Sequence, residues 1–257
     1  MKLDKNKVFW WSPKPLWGLK VFQKENVGDL LGPLLVQKIL DTRSLIIEDI
    51  QKNKLLTIGS VMHFANDQDT VWGTGINGKV DVSYHKFNDL DVRAVRGPLT
   101  ADFLQKRGIT VPAIYGDPGI LVSDFWPRSE TVQKGKVVYI PHMREKEQYQ
   151  RGMKTLSPLV SLQEFIKEIQ TAEKVVSSSL HGVIIAESYG VPACLYESKS
   201  GETPFKYEDY YSGTGRSSFK MFDDISLARH YEPEIPDLSP VKSKLLSAFP
   251  WDIWGKS

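Results

Sequence analysis

The stretch Val175-Val176-Ser177-Ser178-Ser179-Leu180-His181-Gly182 decides the fold. Its first two residues are β-branched and predict a short buried strand, and the apolar Ile185, Ala186 and Tyr189 beyond it predict a helix. The three serines and the histidine therefore lie in a turn between a strand and a helix. The first N–H groups of a helix have no intrahelical acceptor and carry partial positive charge, so this turn is a candidate anion-binding site.

His181 is expected in the first turn of that helix, pointing into a cleft. The helix terminus lowers the pKa of an imidazole there, and a bound phosphate or carboxylate raises it again. A histidine that changes protonation with substrate suits a general acid. The alternative is that the serines only cap the helix and that His181 makes a local hydrogen bond.

Short apolar runs alternate with amphipathic stretches over the whole chain, which predicts an α/β fold with mainly parallel sheets. Strands are predicted at residues 8–11, 55–58, 71–75, 92–95, 114–115, 137–140, 175–176 and 193–196. Two Rossmann-like lobes, residues 1–130 and 131–257, are expected to face each other across a cleft at the carboxyl ends of their strands. Residues 123–135 are the expected linker, and a single sheet of about nine strands is the alternative.

Two proline positions help to place helix starts. Pro33 lies in the stretch that follows Asn26, and it is expected in the first turn of a helix, where proline is tolerated. Ser239 and Pro240 predict the start of the last helix. The tryptophans beyond this helix, at positions 251 and 254, are expected to pack against the first lobe rather than to contact a membrane or a partner.

Composition excludes several classes of protein. The 257 residues are 41% hydrophobic, and 33 basic side chains nearly cancel 31 acidic ones, which argues against disorder and against binding driven by a nucleic-acid backbone. The single cysteine, Cys194, excludes an intrachain disulfide framework, and no Cys/His spacing suits zinc, so no metal is expected. No signal peptide or membrane span is evident, so a soluble, cytoplasmic protein of unknown oligomeric state is expected.

Two segments that follow strands or precede helices carry candidate ligand-binding side chains. Asn26, Gly28 and Asp29 lie at a helix start, where Asp29 caps the helix or binds a hydroxyl group. His63 follows a strand and is expected to lie on the same face of the fold as His181. There it acts as an acid/base group or a ligand, or is simply solvated.

Arginines in both halves of the chain are candidate anion ligands. Arg96 precedes a helix, where it either holds an anion bidentately or pairs with Asp102 or Asp89. Arg144 follows a strand of the second half and is a candidate for the same role.

The segment from Lys206 to Arg216 is polar, aromatic and glycine-containing. It predicts a loop that closes over a ligand, with Lys206 or Arg216 on an anion and a tyrosine such as Tyr210 stacked on a sugar ring. A surface loop with incidental charges is the alternative.

Taken in order, these segments resemble the polysaccharide pyruvyl transferase family. The matching stretches span roughly residues 26–216: Asn26-Val27-Gly28-Asp29, Ile58-Gly59-Ser60, Trp72-Gly73-Thr74-Gly75, Val95-Arg96-Gly97-Pro98, Tyr115-Gly116-Asp117-Pro118, Ser177 to Gly182, and Gly190-Val191-Pro192. The resemblance implies a fold similar to two-lobed, GT-B-type glycosyltransferases. It also implies transfer of the enolpyruvyl group of phosphoenolpyruvate onto two sugar hydroxyls, with release of phosphate, in polysaccharide or exopolysaccharide biosynthesis.

The resemblance also implies roles for individual residues. His181 matches the family's second-lobe histidine and His63 a further one, both as catalytic groups, and Arg96 matches the first-lobe arginine that holds the donor. The other implied donor ligands are Ser178, Ser179, Leu180, Lys206, Arg144 and Arg216, and the implied acceptor ligands are Asn26, Asp29 and Tyr210. Many members carry arginine where this chain has Ser179, so Lys206, Arg144 or Arg216 is expected to supply the missing charge. No cofactor or nucleic acid is implied, and the saccharide acceptor is free or carried on a lipid at the membrane surface.

Two other functions stay open. Glu187 and the residues up to Pro192 also resemble the end of the nucleotide-sugar signature of GT-B glycosyltransferases, although Ser179 stands where those enzymes usually carry a second acid. A catalytically degenerate member that only binds carbohydrate is the other alternative, again because of Ser179.

Overall fold

A computed structural model describes residues 7–11, 26–43, 53–128, 135–145, 152–197 and 201–254. It contains two parallel sheets. The first has the order β1-β2-β3-β4 and the second the order β6-β5-β7-β8-β9. The strands are β1 (Val8–Phe9), β2 (Leu55–Leu56), β3 (Thr70–Trp72), β4 (Asp91–Ala94), β5 (Val138–Ile140), β6 (Lys154–Thr155), β7 (Val175–Ser177), β8 (Ala193–Tyr196) and β9 (Met221–Phe222). The α/β prediction is confirmed, and the alternative of one nine-stranded sheet is wrong.

Eight α-helices connect or flank these strands in the described parts of the chain. They are α1 (Val27–Leu40), α2 (Pro98–Gln105), α3 (Val122–Phe125), α4 (Leu162–Thr171), α5 (Leu180–Ser188), α6 (Phe205–Gly213), α7 (Ile225–His230) and α8 (Ser239–Ser247). None of the described helices is both long and apolar enough to cross a membrane.

Helix α6 replaces the closing loop that the sequence predicted between Lys206 and Arg216. Its side chains Tyr207, Tyr210 and Tyr211 recur at helical spacing and are buried, so the helix packs one aromatic face into the protein. The prediction of a flexible loop is therefore wrong for residues 205–213. The short elements β6, β9 and α7 were also not predicted.

Helix α1 starts within the predicted segment, but its cap and the position of its proline differ from the prediction. The side chain of Asn26 accepts a hydrogen bond from the N–H of Gly28 at 2.9 Å and caps the helix. Asp29 therefore lies in the first turn and is not the cap. Pro33 lies inside the helix rather than in its first turn, so the carbonyl of Asp29 loses its usual intrahelical donor.

A continuous apolar core joins the two sheets. It contains side chains from β1, β2 and β3 of the first sheet, from β5, β7 and β8 of the second, and from α1 and α5. The C-terminal segment covers the first sheet, because Trp72 Nε1 donates to the carbonyl of Leu245 at 2.9 Å and its ring packs against Phe249. Trp254 is buried beneath the amine of Lys7, as the sequence predicted for this segment.

The junction between the halves is only partly described. Residues 122–125 are helical, although 123–135 were expected to form a linker, and residues 129–134 lie outside the described residues. The boundary between residues 130 and 131 stays a prediction.

Candidate active site

A cavity of about 240 Å³ lies where the carboxyl ends of strands from both sheets meet. The first half contributes residues that follow β2 and β4, and the second half contributes residues that follow β5 and β7. Its lining includes Trp11, Asn26, Asp29, Ser60, His63, Phe64, Lys79, Arg96, Asp117, His142, Arg144, Ser179, Leu180, His181, Glu202 and Lys206. Cations outnumber carboxylates in this wall, which is the balance that an anionic ligand needs.

Arg96 supplies a fixed positive charge to this wall although it has no exposed surface. Its Nε donates to Asp209 Oδ2 at 3.0 Å, Nη1 donates to Ser60 Oγ at 2.6 Å, and Nη2 donates to the carbonyl of Ile76 at 2.7 Å. The expectation of a free guanidinium that grips an anion bidentately is wrong in this state, because Asp209 already occupies the guanidinium. The alternative partner Asp102 pairs with Lys106 instead.

A set of ion pairs centred on Glu202 joins the two halves of the cavity. The carboxylate of Glu202 pairs with Lys79 from the first half and, at 2.5 Å, with Lys206 from α6, and it lies 3.7 Å from His142 Nε2. Burial opposes ionisation of Glu202, but the two amines outweigh it and hold its pKa at about 2. Burial, and then Lys206, lower the pKa of His142 to about 4, so this imidazole is neutral at pH 7.

His181 lies in the first turn of α5, as predicted, with 18% of its side chain accessible. Its ring packs on helix α1 at Gly28, where a Cβ would overlap Nδ1. Burial, and then the charges of Lys206 and Arg96, lower its pKa to about 3. The imidazole is therefore neutral at pH 7. The sequence predicted a lowered pKa here but attributed it to the helix terminus, whereas burial is the main cause.

Two carboxyl groups in the cavity have raised pKa values. Burial raises the pKa of Asp29 to about 7, and no described residue makes a hydrogen bond or ion pair with its side chain. Burial also raises the pKa of Asp117 to about 6, although the N–H of Gly119 and the charge of Arg96 oppose the shift. Groups that hold a proton near pH 7 are suited to proton transfer.

His63 also lines the cavity, on a short 3₁₀ helix, Met62–Phe64, after β2. Its ring stacks against Phe64 with centroids 4.1 Å apart, and burial together with His85 lowers its pKa. It therefore faces the cavity as a neutral imidazole beside an aromatic side chain.

Nine of the predicted site residues meet in this cavity, and three do not. Those that line it are Asn26, Asp29, His63, Arg96, Arg144, Ser179, Leu180, His181 and Lys206. Ser178 is buried outside the lining, where its hydroxyl donates to Glu145 at 2.6 Å and accepts from the N–H of His142 at 2.8 Å. It ties the turn before α5 to the turn after β5 and does not face a ligand.

Tyr210 and Arg216 are the other two predictions that the structure corrects. The guanidinium of Arg216 makes two hydrogen bonds with the carboxylate of Glu187, at 2.6 and 2.9 Å, and lies over the ring of Tyr211. The hydroxyl of Tyr210 donates to the same carboxylate at 2.7 Å. Since these groups satisfy one another away from the cavity, Arg216 cannot replace the charge missing at Ser179, whereas Lys206 and Arg144 line the cavity with it.

Sequence reasoning missed Asp117, Lys79 and Glu202 as site residues. Asp117 belongs to one of the stretches that carry the family resemblance, but nothing in that stretch shows that its carboxyl faces His181. Lys79 and Glu202 follow no strand or motif, and only their contact across the cavity distinguishes them. Within the described residues, no group of three or more His, Cys, Asp or Glu side chains is arranged to hold a metal ion.

Comparison with known proteins identifies a family and several proteins to which this chain is similar. A family model described as polysaccharide pyruvyl transferase matches residues 60–200, more than half of the chain. An uncharacterized protein of Acanthamoeba polyphaga mimivirus is 28% identical over 219 residues, which are 77% of this chain and 74% of that protein. The succinoglycan biosynthesis protein ExoV of Rhizobium meliloti is 28% identical over 151 residues, which are 56% of this chain and 46% of ExoV.

Among solved structures, an uncharacterized protein from Klebsiella pneumoniae aligns with a TM-score of 0.48 and 12% identity, over 79% of this chain and 90% of that one. This likeness is too low to support an argument about fold or function, and the similarity to GT-B glycosyltransferases stays a prediction. The family model covers Arg96, Asp117, Ser179 and His181, so it spans both sides of the cavity. The chain belongs to the polysaccharide pyruvyl transferase family.

Proposed function

We propose that this protein transfers the pyruvyl group of phosphoenolpyruvate onto two hydroxyls of a saccharide and releases phosphate. The observation that carries the proposal is the meeting of Arg96, Lys206 and His181 in one cavity of a chain with this family membership. The donor bears a carboxylate and a phosphate, which require several fixed positive groups. ExoV, which is named for succinoglycan biosynthesis, supports a polysaccharide acceptor.

The cavity wall offers the donor two kinds of positive group. Lys79 and Lys206, which both pair with Glu202, supply two amines, Arg144 supplies a guanidinium, and Arg96 supplies a charge held by its own hydrogen bonds. The first N–H groups of α5, at Leu180 and His181, have no intrahelical acceptor and add partial positive charge. Lys206 takes the place of the arginine that many family members carry at the position of Ser179.

The reaction needs defined proton transfers. One acceptor hydroxyl adds to the carbon that bears the phosphate, the methylene carbon gains a proton, and the C–O bond to phosphate breaks. The second hydroxyl then closes the ketal, so two hydroxyl protons are lost and one is gained by carbon. We assign removal of a hydroxyl proton to His181, which is neutral at pH 7, and delivery of the carbon proton to Asp29, whose pKa is about 7.

The acceptor is proposed to enter beside the aromatic side chains of Trp11 and Phe64, which line the cavity with His63 and Asn26. Aromatic rings suit the apolar face of a sugar. The cytoplasm is the proposed location, and a lipid-carried acceptor would bring the protein to a membrane surface.

The nucleotide-sugar alternative depends on Glu187, and the structure argues against it. This glutamate is buried, accepts hydrogen bonds from Arg216 and Tyr210, and does not line the cavity. A carboxylate held in this way does not reach a ribose in the cavity.

The test is incubation of the purified protein with phosphoenolpyruvate and a panel of free and lipid-linked oligosaccharides. The expected product gains the mass of one pyruvate less one water, with release of an equal amount of phosphate. His181→Ala is expected to lower turnover by about 10²–10⁴-fold. Lys206→Met is expected to raise the KM for phosphoenolpyruvate by about tenfold or more, because it removes a charged hydrogen-bond donor.

Three results would contradict the proposal. Transfer from nucleotide sugars but not from phosphoenolpyruvate would support the glycosyltransferase alternative. Absence of phosphate release with every acceptor would favour a protein that only binds carbohydrate. A loss of turnover below about threefold in folded His181→Ala would remove this residue from the chemistry.

A further inference from the structure

The carboxyl of Asp117 and the imidazole of His181 face each other across a short gap beside the cavity. The distance from His181 Nε2 to Asp117 Oδ2 is 3.8 Å. Both atoms are buried and lack a partner within hydrogen-bond geometry, although the N–H of Gly59 lies near enough to the Asp117 carboxyl to lower its pKa. A buried polar atom without a partner is destabilising, so two such atoms with complementary chemistry indicate a hydrogen bond that forms in another state of the site.

The orientation of the Asp117 carboxyl is fixed by its neighbours. Oδ1 accepts a hydrogen bond from the N–H of Gly119 at 2.9 Å and caps the 3₁₀ helix Pro118–Leu121. The side chain has no exposed surface. With Oδ1 held in this way, Oδ2 is the oxygen that remains for His181.

The two nitrogens of the His181 ring lie in different surroundings. Nε2 is buried on the side of Asp117, whereas Nδ1 lies against Gly28 and is not among the buried atoms that lack a partner. No described residue bonds to Nδ1, and the His181 side chain as a whole lines the cavity. A shift of about 1 Å would bring Nε2 within hydrogen-bond distance of Oδ2 and leave Nδ1 facing a ligand.

We propose that Asp117 is a positioning residue for His181, which accepts the Nε2–H and so leaves Nδ1 unprotonated at the cavity. Nδ1 then takes the proton of an acceptor hydroxyl, and the Asp117 carboxylate stabilises the imidazolium that results. The step forms one N–H bond and breaks one O–H bond, and the oxygen keeps the electron pair with which it attacks the donor. The identity of this hydroxyl rests on the proposed function, but the pairing of the two side chains does not.

The other charges around the pair explain why a carboxylate is needed there. Lys206 of α6, Arg96 and His142 all disfavour a charged His181. Arg96 and Asp209 act on Asp117 with opposite sign. Among these groups Asp117 is the carboxylate within 4 Å of the imidazole, so it offsets the cations when His181 takes up a proton.

Asp117→Asn tests the pairing with little change in shape. The amide oxygen still accepts from the N–H of Gly119, which directs the amide NH₂ toward His181 Nε2 and favours the opposite neutral tautomer, with the proton on Nδ1. Asp224→Asn is the matched control. Asp224 caps α7 through the N–H of Ser226 at 2.7 Å in the same way, and it does not line the cavity.

The tautomer is measured directly from the ring nitrogen-15 shifts of His181, assigned by their loss in His181→Ala. The expected results are an Nε2–H tautomer in the wild type and in Asp224→Asn, and an Nδ1–H tautomer in Asp117→Asn. Turnover of Asp117→Asn is expected to fall by about 10²–10⁴-fold, while the KM for phosphoenolpyruvate changes less than about threefold.

An unchanged tautomer in folded Asp117→Asn overturns the inference, whether or not turnover falls. A change of tautomer in a protein that makes no ketal with any acceptor refutes the proposed function and leaves the pairing standing. A change of tautomer with turnover at the wild-type level overturns the role of the pairing in proton transfer.

Discussion

Replacement of Asp209 by alanine is expected to destabilise the protein strongly, because its carboxylate is the counter-ion of a fully buried arginine. Arg96 and Asp209 are both completely buried, with 3.0 Å between Nη2 and Oδ2. The same carboxylate accepts from the N–H of Thr100 at 2.9 Å and from its hydroxyl at 2.6 Å. The substitution therefore leaves one buried charge and one backbone donor unpaired.

The expected loss follows from these contacts. Removal of one partner of a buried ion pair costs about 3–5 kcal/mol. For a domain of this size, 1 kcal/mol corresponds to about 2–4 °C, so the melting temperature is expected to fall by about 6–20 °C. The free energy of unfolding is measured by urea denaturation, and the melting temperature by calorimetry.

Asp102→Ala is the matched control, since Asp102 is an exposed carboxylate on α2 that pairs with Lys106. It is expected to lose less than about 1 kcal/mol. If Asp209→Ala does not fold, Asp209→Asn keeps the shape and one acceptor for Thr100, and its loss is measured instead. A loss below about 1 kcal/mol, equal to that of the control, would refute the claim that Asp209 compensates the charge of Arg96.

Three further predictions follow from the cavity and its supports. Gly28→Ala is expected to lower turnover by about tenfold or more with little loss of stability, because its Cβ would displace the His181 ring. Asp29→Asn is expected to raise the melting temperature above about pH 7 and to have no effect near pH 4. The folded pKa of Asp29 is raised to about 7 from 3.8, so the wild type loses stability as pH rises between these values. Arg216→Ala is expected to cost about 3 kcal/mol and to leave the KM for phosphoenolpyruvate unchanged, because it removes the partner of Glu187.

Each of these predictions has a result that would contradict it. Wild-type turnover in Gly28→Ala, with Leu34→Ala on the exposed face of the same helix as control, would show that the ring does not need its observed position. A pH-independent difference between Asp29→Asn and the wild type would exclude the raised pKa. A tenfold rise in the KM for phosphoenolpyruvate in Arg216→Ala, measured by initial rates, would show that Arg216 does bind the donor.

The sequence predicted the elements whose signals are local. The run from Val175 to Gly182 combines a β-branched pair with a change to helical spacing, and the structure has β7 and α5 at these positions. Strands β2, β3, β4, β5 and β8 were found in the same way. His181 was placed in the first turn of α5 because a helix must start directly after that strand.

The sequence did not predict the features that depend on distant contacts. The sequence of α6 resembles that of a loop, because glycines and charged residues surround its tyrosines. These tyrosines become buried only because α6 packs on α2, which the sequence alone does not show. Asp209 reaches Arg96 across 113 positions of the chain. The pKa values of Asp29 and Asp117 depend on burial, which spacing does not show.

Helix α6 supplies a cation, Lys206, to the same cavity wall as Ser179. One helix places Lys206 in the cavity, Asp209 on Arg96 and Tyr210 on Glu187. Gly97 and Gly213 permit its close approach to the first half, since a Cβ at either position would overlap backbone atoms of the other segment. The charge of Lys206 is therefore held by the same contacts that orient Arg96. Arg216 and Tyr210, which the sequence assigned to the ligand, contribute by fixing this helix instead, so the proposed anion site depends on tertiary packing and not on the turn before α5 alone.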